Sequence, residues 1–126
     1  MGQGYLIDTN CAIDYLENRL PESANEFIDG IAIQFSVITR IEILVWPKAT
    51  PKQLQMLSDF IASSTVFDFD ERIILATIKI RKNFRLKLPD AIVAATALVY
   101  ELNLITRNIK DFERVEGLKC VNPYQL

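Results

Sequence analysis

Five oxygen-bearing residues, Asp8, Glu42, Asp90, Asn108 and Asp111, stand where short apolar runs give way to turns or to the first turns of helices. All but Asn108 are acids. The chain has no histidine. That removes the commonest general acid/base, the commonest transition-metal ligand and every mechanism that pairs a nucleophile with an imidazole. Carboxylates drawn together repel and raise one another's pKa, so such a cluster is costly unless a cation sits among them. Oxygen donors without His or Cys select Mg2+ or Mn2+. Those ions take phosphate oxygens and activate water, so the chemistry within reach is phosphodiester hydrolysis.

Each residue also has a purely structural explanation. Asp8 can cap the helix it precedes, Asp111 can cap a short helix, and Asp90 can be a helix-start carboxylate favoured by the dipole. Glu42 can be a solvated helix residue and Asn108 a turn residue. Only the joint pattern, acids after successive strands that border one crevice, argues for a site.

The elements that must position these residues follow from hydrophobic periodicity and breakers. Tyr5–Ile7 reads as a strand, halted by Asp8-Thr9-Asn10 and followed by a helix through Arg19. A second helix over 22–30 ends at Gly30, and 31–37 reads as a second strand. Helical spacing over 39–45 stops at Pro47, and Pro51 opens a helix to about Ser63. The run 65–69 is a third strand, and Asp70-Glu71 opens a long helix to Asn83 with basic residues at its end. Leu88-Pro89-Asp90 starts a nearly all-apolar helix to Tyr100, so it is expected to be buried. The rest is a fourth strand at 104–106, a helical turn at 111–114 and an edge strand at 119–121. Alternation of strands and helices predicts one α/β domain, 1–126, around a mostly parallel sheet. In such sheets function gathers outside the carboxyl ends of the strands.

Composition bounds the rest. The 126 residues, half of them hydrophobic, suit one core, and a net charge of −2 supplies no bulk positive field for a polyanion. Cys11 and Cys120 show no zinc spacing and read as free thiols in a reducing compartment. The start lacks a signal-peptide pattern, Leu6 stands where a myristoylation signal wants Ser or Thr, and no apolar run approaches the ~18 residues of a membrane span. A cytoplasmic protein without a membrane anchor is expected.

The strings YLIDTN, TRIEI, LPDAIVAATAL and LITRNIKDF, in that order across nearly the whole chain, resemble a VapC-type PIN domain. The resemblance implies a Rossmann-like sheet of order 3-2-1-4-5 and an Mg2+- or Mn2+-dependent endoribonuclease, the toxin of a type II toxin–antitoxin pair. It further implies a cognate VapB-type antitoxin and a homodimer. By position, Asp8, Glu42 and Asp90 match the family's first three acids. Asn108 stands where many relatives have Asp, while Asp111 matches the acid before the aromatic. Thr9 and Asn10 follow the first acid as in the family, and the Thr106 hydroxyl is able to orient a carboxylate or a water.

Arg40 and Arg107 flank the expected site as phosphate contacts. The basic run holding Arg81, Lys82 and Arg85 is a candidate track for an RNA backbone. Trp46 is expected in the core, beside a region that relatives use for partner contacts. The mechanism implied is in-line attack on phosphorus by activated water, leaving a 5′-phosphate and a 3′-hydroxyl. Two other classes compete: a receiver-type phosphoacceptor module, which lacks its acidic pair and late Lys here, and a catalytically silent RNA- or protein-binding domain.

Overall fold

The computed structural model describes residues 4–126, so the first three residues of the expected domain, and with them part of the N-terminal signal reading, lie outside the described residues. Five short strands, β1 (Tyr5–Ile7), β2 (Ile33–Ser36), β3 (Thr65–Phe67), β4 (Asn103–Ile105) and β5 (Cys120–Val121), form one sheet in the order β3-β2-β1-β4-β5. Every pairing is parallel, with Leu6 opposite Gln34 on one side and Leu104 on the other. The helices are α1 (Thr9–Leu16), α2 (Glu22–Asp29), α3 (Val37–Leu44), α4 (Pro51–Ala62), α5 (Glu71–Asn83), α6 (Leu88–Val99) and α7 (Ile109–Phe112). A 3-10 turn, Pro123–Gln125, follows β5 and was not expected from the sequence.

The central strands β1 and β4 carry apolar residues on both faces because both faces are covered there. Leu6 and Leu104 point into one cluster with Ile73, Ile80, Phe112 and the alanines of α6. Their strand neighbours Ile7 and Ile105 point to the opposite cluster with Phe35, Ile43, Leu57 and Ile28. Ala91 to Ala97 of α6 are all buried, as its apolar sequence requires.

Caps set the boundaries. Asp70 accepts the Ile73 N–H at 2.9 Å and starts α5, while Thr50 and Gln53 form a reciprocal capping box at α4. α1 stops at Leu16 rather than Arg19 because Asn18 turns left-handed, with φ 60°. Ser36 ends β2 and caps α3 with its own hydroxyl, so α3 begins at Val37, earlier than the spacing alone predicts. The helical turn expected at 111–114 lies instead at Ile109–Phe112.

Candidate metal centre

Asp8 leaves β1 with its backbone N–H on the Ile105 carbonyl at 3.0 Å, which fixes it at the carboxyl end of the two central strands. Its Oδ1 accepts the Cys11 N–H at 2.9 Å, so it does cap α1. The cap leaves it in the crevice all the same. Burial pushes its pKa up, against hydrogen bonds from the Thr106 side chain and Cys11 and the nearby Arg107 cation. Thr106 is wholly buried, and its Oγ1 accepts the Asn108 N–H at 3.0 Å. One hydroxyl thus ties the β4–α7 turn to the first acid.

Glu42 comes from α3, and its Oε1 accepts the Thr9 hydroxyl at 2.7 Å. The Thr9 and Thr39 hydroxyls lie 3.3 Å apart, extending that polar seam between α1 and α3. Asp90 stands in the first turn of α6, where no side chain caps the helix. Its pKa is raised by burial first, then by the charges of Asp8, Glu42 and Asp111, with Lys87 opposing. Acids from three other segments therefore converge electrostatically on one carboxylate.

Asp8, Thr9, Asn10, Glu42 and Asp90 line a single cleft of about 370 Å³, walled on its apolar side by Ile13, Val45, Trp46 and Val93. Trp46 packs against the core cluster beneath α3, as expected, and its placement in the cleft wall is an addition to that reading. Asn108 and Asp111 are exposed and outside this lining, and the Asn108 amide donates to Asp111 Oδ2 at 2.7 Å. Asn108 thus serves as an orienting donor to the fourth acid, although its own side chain does not cap α7.

Among the described residues, no three acids or cysteines already enclose a position for a cation. Asp8, Glu42 and Asp111 each accept a hydrogen bond from a neighbouring donor instead. The donor set still has the chemistry of a hard cation's site: carboxylate oxygens facing one open cleft, with the pKa of Asp90 raised by burial and then by its acidic neighbours.

The second-rank candidates divide. Arg107 lies near enough to Asp8 to lower its pKa. Arg40 lines a different cavity, with Leu44, Ser58 and Ile61 between α3 and α4, because residues two apart on a helix face opposite ways. Arg81, Lys82 and Arg85 are exposed around the end of α5, and within that basic run it is Lys87 whose charge reaches Asp90. Cys11 and Cys120 are free thiols, with Cys120 pushed up to about 11 by burial. Sequence reading passed over Asp14 and Tyr124, whose side chains meet beside Arg107; nothing local in the sequence signals that pairing.

A parallel sheet of this order with acids at its carboxyl edge defines a class, and comparison with known proteins agrees. The PIN domain family matches residues 5–118. Ribonuclease VapC1 of Methanocaldococcus jannaschii is 33% identical over 121 residues, covering 90% of this chain and 84% of the relative. Among solved structures, a toxin–antitoxin complex from Klebsiella pneumoniae superposes with TM-score 0.79 at 32% identity, covering 98% of this chain and all of that one. DNA-bound VapBC from Salmonella typhimurium has the same fold, with TM-score 0.83 at 24% identity over 96% and 98% of the two chains. The chain belongs to the PIN-domain family and is of the VapC type.

Proposed function

We propose that this protein is an endoribonuclease, the toxin of a VapBC-type pair, which cleaves RNA with Mg2+ or Mn2+ and is held inactive by a VapB-type antitoxin. The observation that carries the reading is the meeting of Asp8, Glu42 and Asp90 in the lining of one cleft, with the charge of Asp111 reaching Asp90 from the α7 side. Three acids from separate segments, Asp8, Glu42 and Asp90, have no structural task that requires them to share a cleft, whereas a divalent cation gives them one. The names of the similar ribonuclease and toxin–antitoxin complex fit it.

In this reading Asp8, Glu42 and Asp90 supply the cation's protein oxygens, and Asp111 adds charge from the α7 side. A bound divalent ion would neutralise the phosphodiester and make water nucleophilic near neutral pH. The chain's own residues orient the donors: Thr106 and the Cys11 N–H hold Asp8, Thr9 holds Glu42, and Asn108 holds Asp111. Such partners are worth roughly 10–100-fold in metal affinity or activity. Water must attack in line with the leaving 3′ oxygen, and the open cleft leaves one side of the acids accessible to a strand.

For partners, the exposed apolar residues Ile74, Leu75 and Ile78 on α5, Ile41 on α3 and Val45 at its C-terminal cap supply contact surface for a second copy and for the antitoxin. No helix among the described residues is long and apolar enough to cross a membrane. Action on RNA then places the work in the cytoplasm.

The test is to express the chain with and without Asp8→Asn and sequence the RNA ends. New 5′-phosphate ends confined to the parent, and abolished in vitro by chelation, are expected. Cleavage retained by Asp8→Asn overturns the assignment. The spread of the acids favours one second reading, a PIN domain that binds without cutting. That reading expects no new ends from either chain.

A further inference from the structure

Asp14 and Tyr124 lie 110 residues apart in sequence, yet the Tyr124 hydroxyl donates to Asp14 Oδ2 in a short hydrogen bond. Asp14 is on α1, the helix capped by Asp8, and Tyr124 is in the 3-10 turn after β5. Asn122 caps that turn by accepting the Tyr124 N–H at 2.9 Å, and the ring packs on the core cluster. Its orientation is thereby set from three directions. The exposed Arg107 guanidinium lies over the ring face, 5.0 Å from its centroid. Arg107 directly follows Thr106, the residue that binds Asp8, and it forms no ion pair with the described residues.

A guanidinium stacked by its face keeps its in-plane N–H donors at the edge, the arrangement suited to a phosphate. The acids beside it are held by other donors, so none of them occupies that edge as an ion-pair partner. We infer that Asp14 and Tyr124 are positioning residues, which hold Arg107 beside the acidic cleft to grip a phosphate of the RNA strand next to the one cleaved. This rests on the ribonuclease reading and adds the C-terminal turn to the substrate-binding machinery.

The experiment measures kcat and KM on a mixed-sequence single-stranded RNA in Mn2+ across a salt series, for the full chain and five variants. Arg107→Ala should raise KM roughly tenfold, the scale of one charge-assisted contact, with kcat changed far less. The salt slope of kcat/KM should fall by about 0.7, one phosphate contact on a single strand. Tyr124→Leu should reproduce most of both changes. Tyr124→Trp, which keeps a π face, should restore them. Asp14→Asn should raise KM by a smaller factor, and it leaves the ring in place should Tyr124→Leu fail to fold. The double variant Arg107→Ala/Tyr124→Leu should be no worse than Arg107→Ala.

An unchanged KM and slope in Arg107→Ala overturns the inference. So do full independence of the two effects in the double variant, and a folded Tyr124→Leu or Asp14→Asn that behaves like the parent. A parent chain that neither binds nor cuts RNA strikes the ribonuclease reading itself, a result distinct from all of these.

Discussion

The Thr9 hydroxyl donates to Glu42 Oε1 at 2.7 Å, joining the first turn of α1 to α3 across the mouth of the acidic cleft. It holds an acid that the charges of Asp8 and Asp90 would otherwise push towards solvent. Removing that donor while keeping the side chain's shape, Thr9→Val, should weaken Mn2+ binding by roughly tenfold, the lower end for loss of an orienting partner. Titration calorimetry on the folded chain reads the affinity directly. An unchanged affinity would mean that Glu42 is positioned by the helix alone.

Asp90 gives a prediction with opposite signs in the absence and presence of metal. Burial and three like charges raise its pKa in the folded chain. For an acid shifted upward, the stability linked to its protonation is full below its unfolded pKa and is lost as pH rises through the folded value. The metal-free Asp90→Asn variant should therefore melt a few degrees above the parent at pH 7, and the gap should close as pH falls past the ordinary carboxylate range. Added Mn2+ should reverse the order, because the parent gains a bound ion that the variant holds poorly. Melting curves at two pH values, with and without Mn2+, check both signs. A variant less stable than the parent in chelator would show that the like-charge strain is absent.

The fold was legible because its punctuation is local: Asp8 after an apolar run, Pro51 and Pro89 at helix starts, Asp70 at a cap. Leu6 and Ile7 belong to opposite cores, which is why β1 reads as a short apolar run, whereas 31–37 reads as a strand from its alternation. Asp8, Asp90 and Asp111 stand out for the same reason, since each is at or near an element boundary, whereas Glu42 lies within α3. Side-chain direction was not. Arg40 is two residues from Glu42 and faces α4, and the partnership of Asp14 with Tyr124 exists only once β5 lies beside β4. Long-range pairing of single polar residues leaves no period in a sequence.

The apolar residues on the outside of α5 test the self-association reading. Ile74, Leu75 and Ile78 are 42%, 58% and 48% exposed within one turn of the helix. Ile74→Glu/Ile78→Glu should leave the melting temperature nearly unchanged, since surface substitutions usually fall within about 0.5 kcal/mol. It should also shift the sedimentation coefficient of a dimer to that of a monomer. A dimer that survives the pair of charges uses another face.

Thr106 offers the most demanding check on the centre, because its hydroxyl serves two partners at once from a wholly buried position. Its oxygen accepts the Asn108 N–H at 3.0 Å while its side chain hydrogen-bonds Asp8. Thr106→Val keeps the volume but strands the Asn108 N–H and takes a donor from a carboxylate already burdened by burial. Loss of this part-buried hydrogen bond costs about 0.5–1.5 kcal/mol, so the melting temperature should drop by a few degrees. Cleavage should fall further than that loss explains, by roughly 10–100-fold at a temperature where the variant is still fully folded. Thr106→Ser, which restores the hydroxyl without the methyl, should recover most of the activity while remaining less stable than the parent. If Thr106→Val loses stability but cuts RNA at the parent's rate, the hydroxyl serves the α7 turn and Asp8 is oriented by the Cys11 N–H alone.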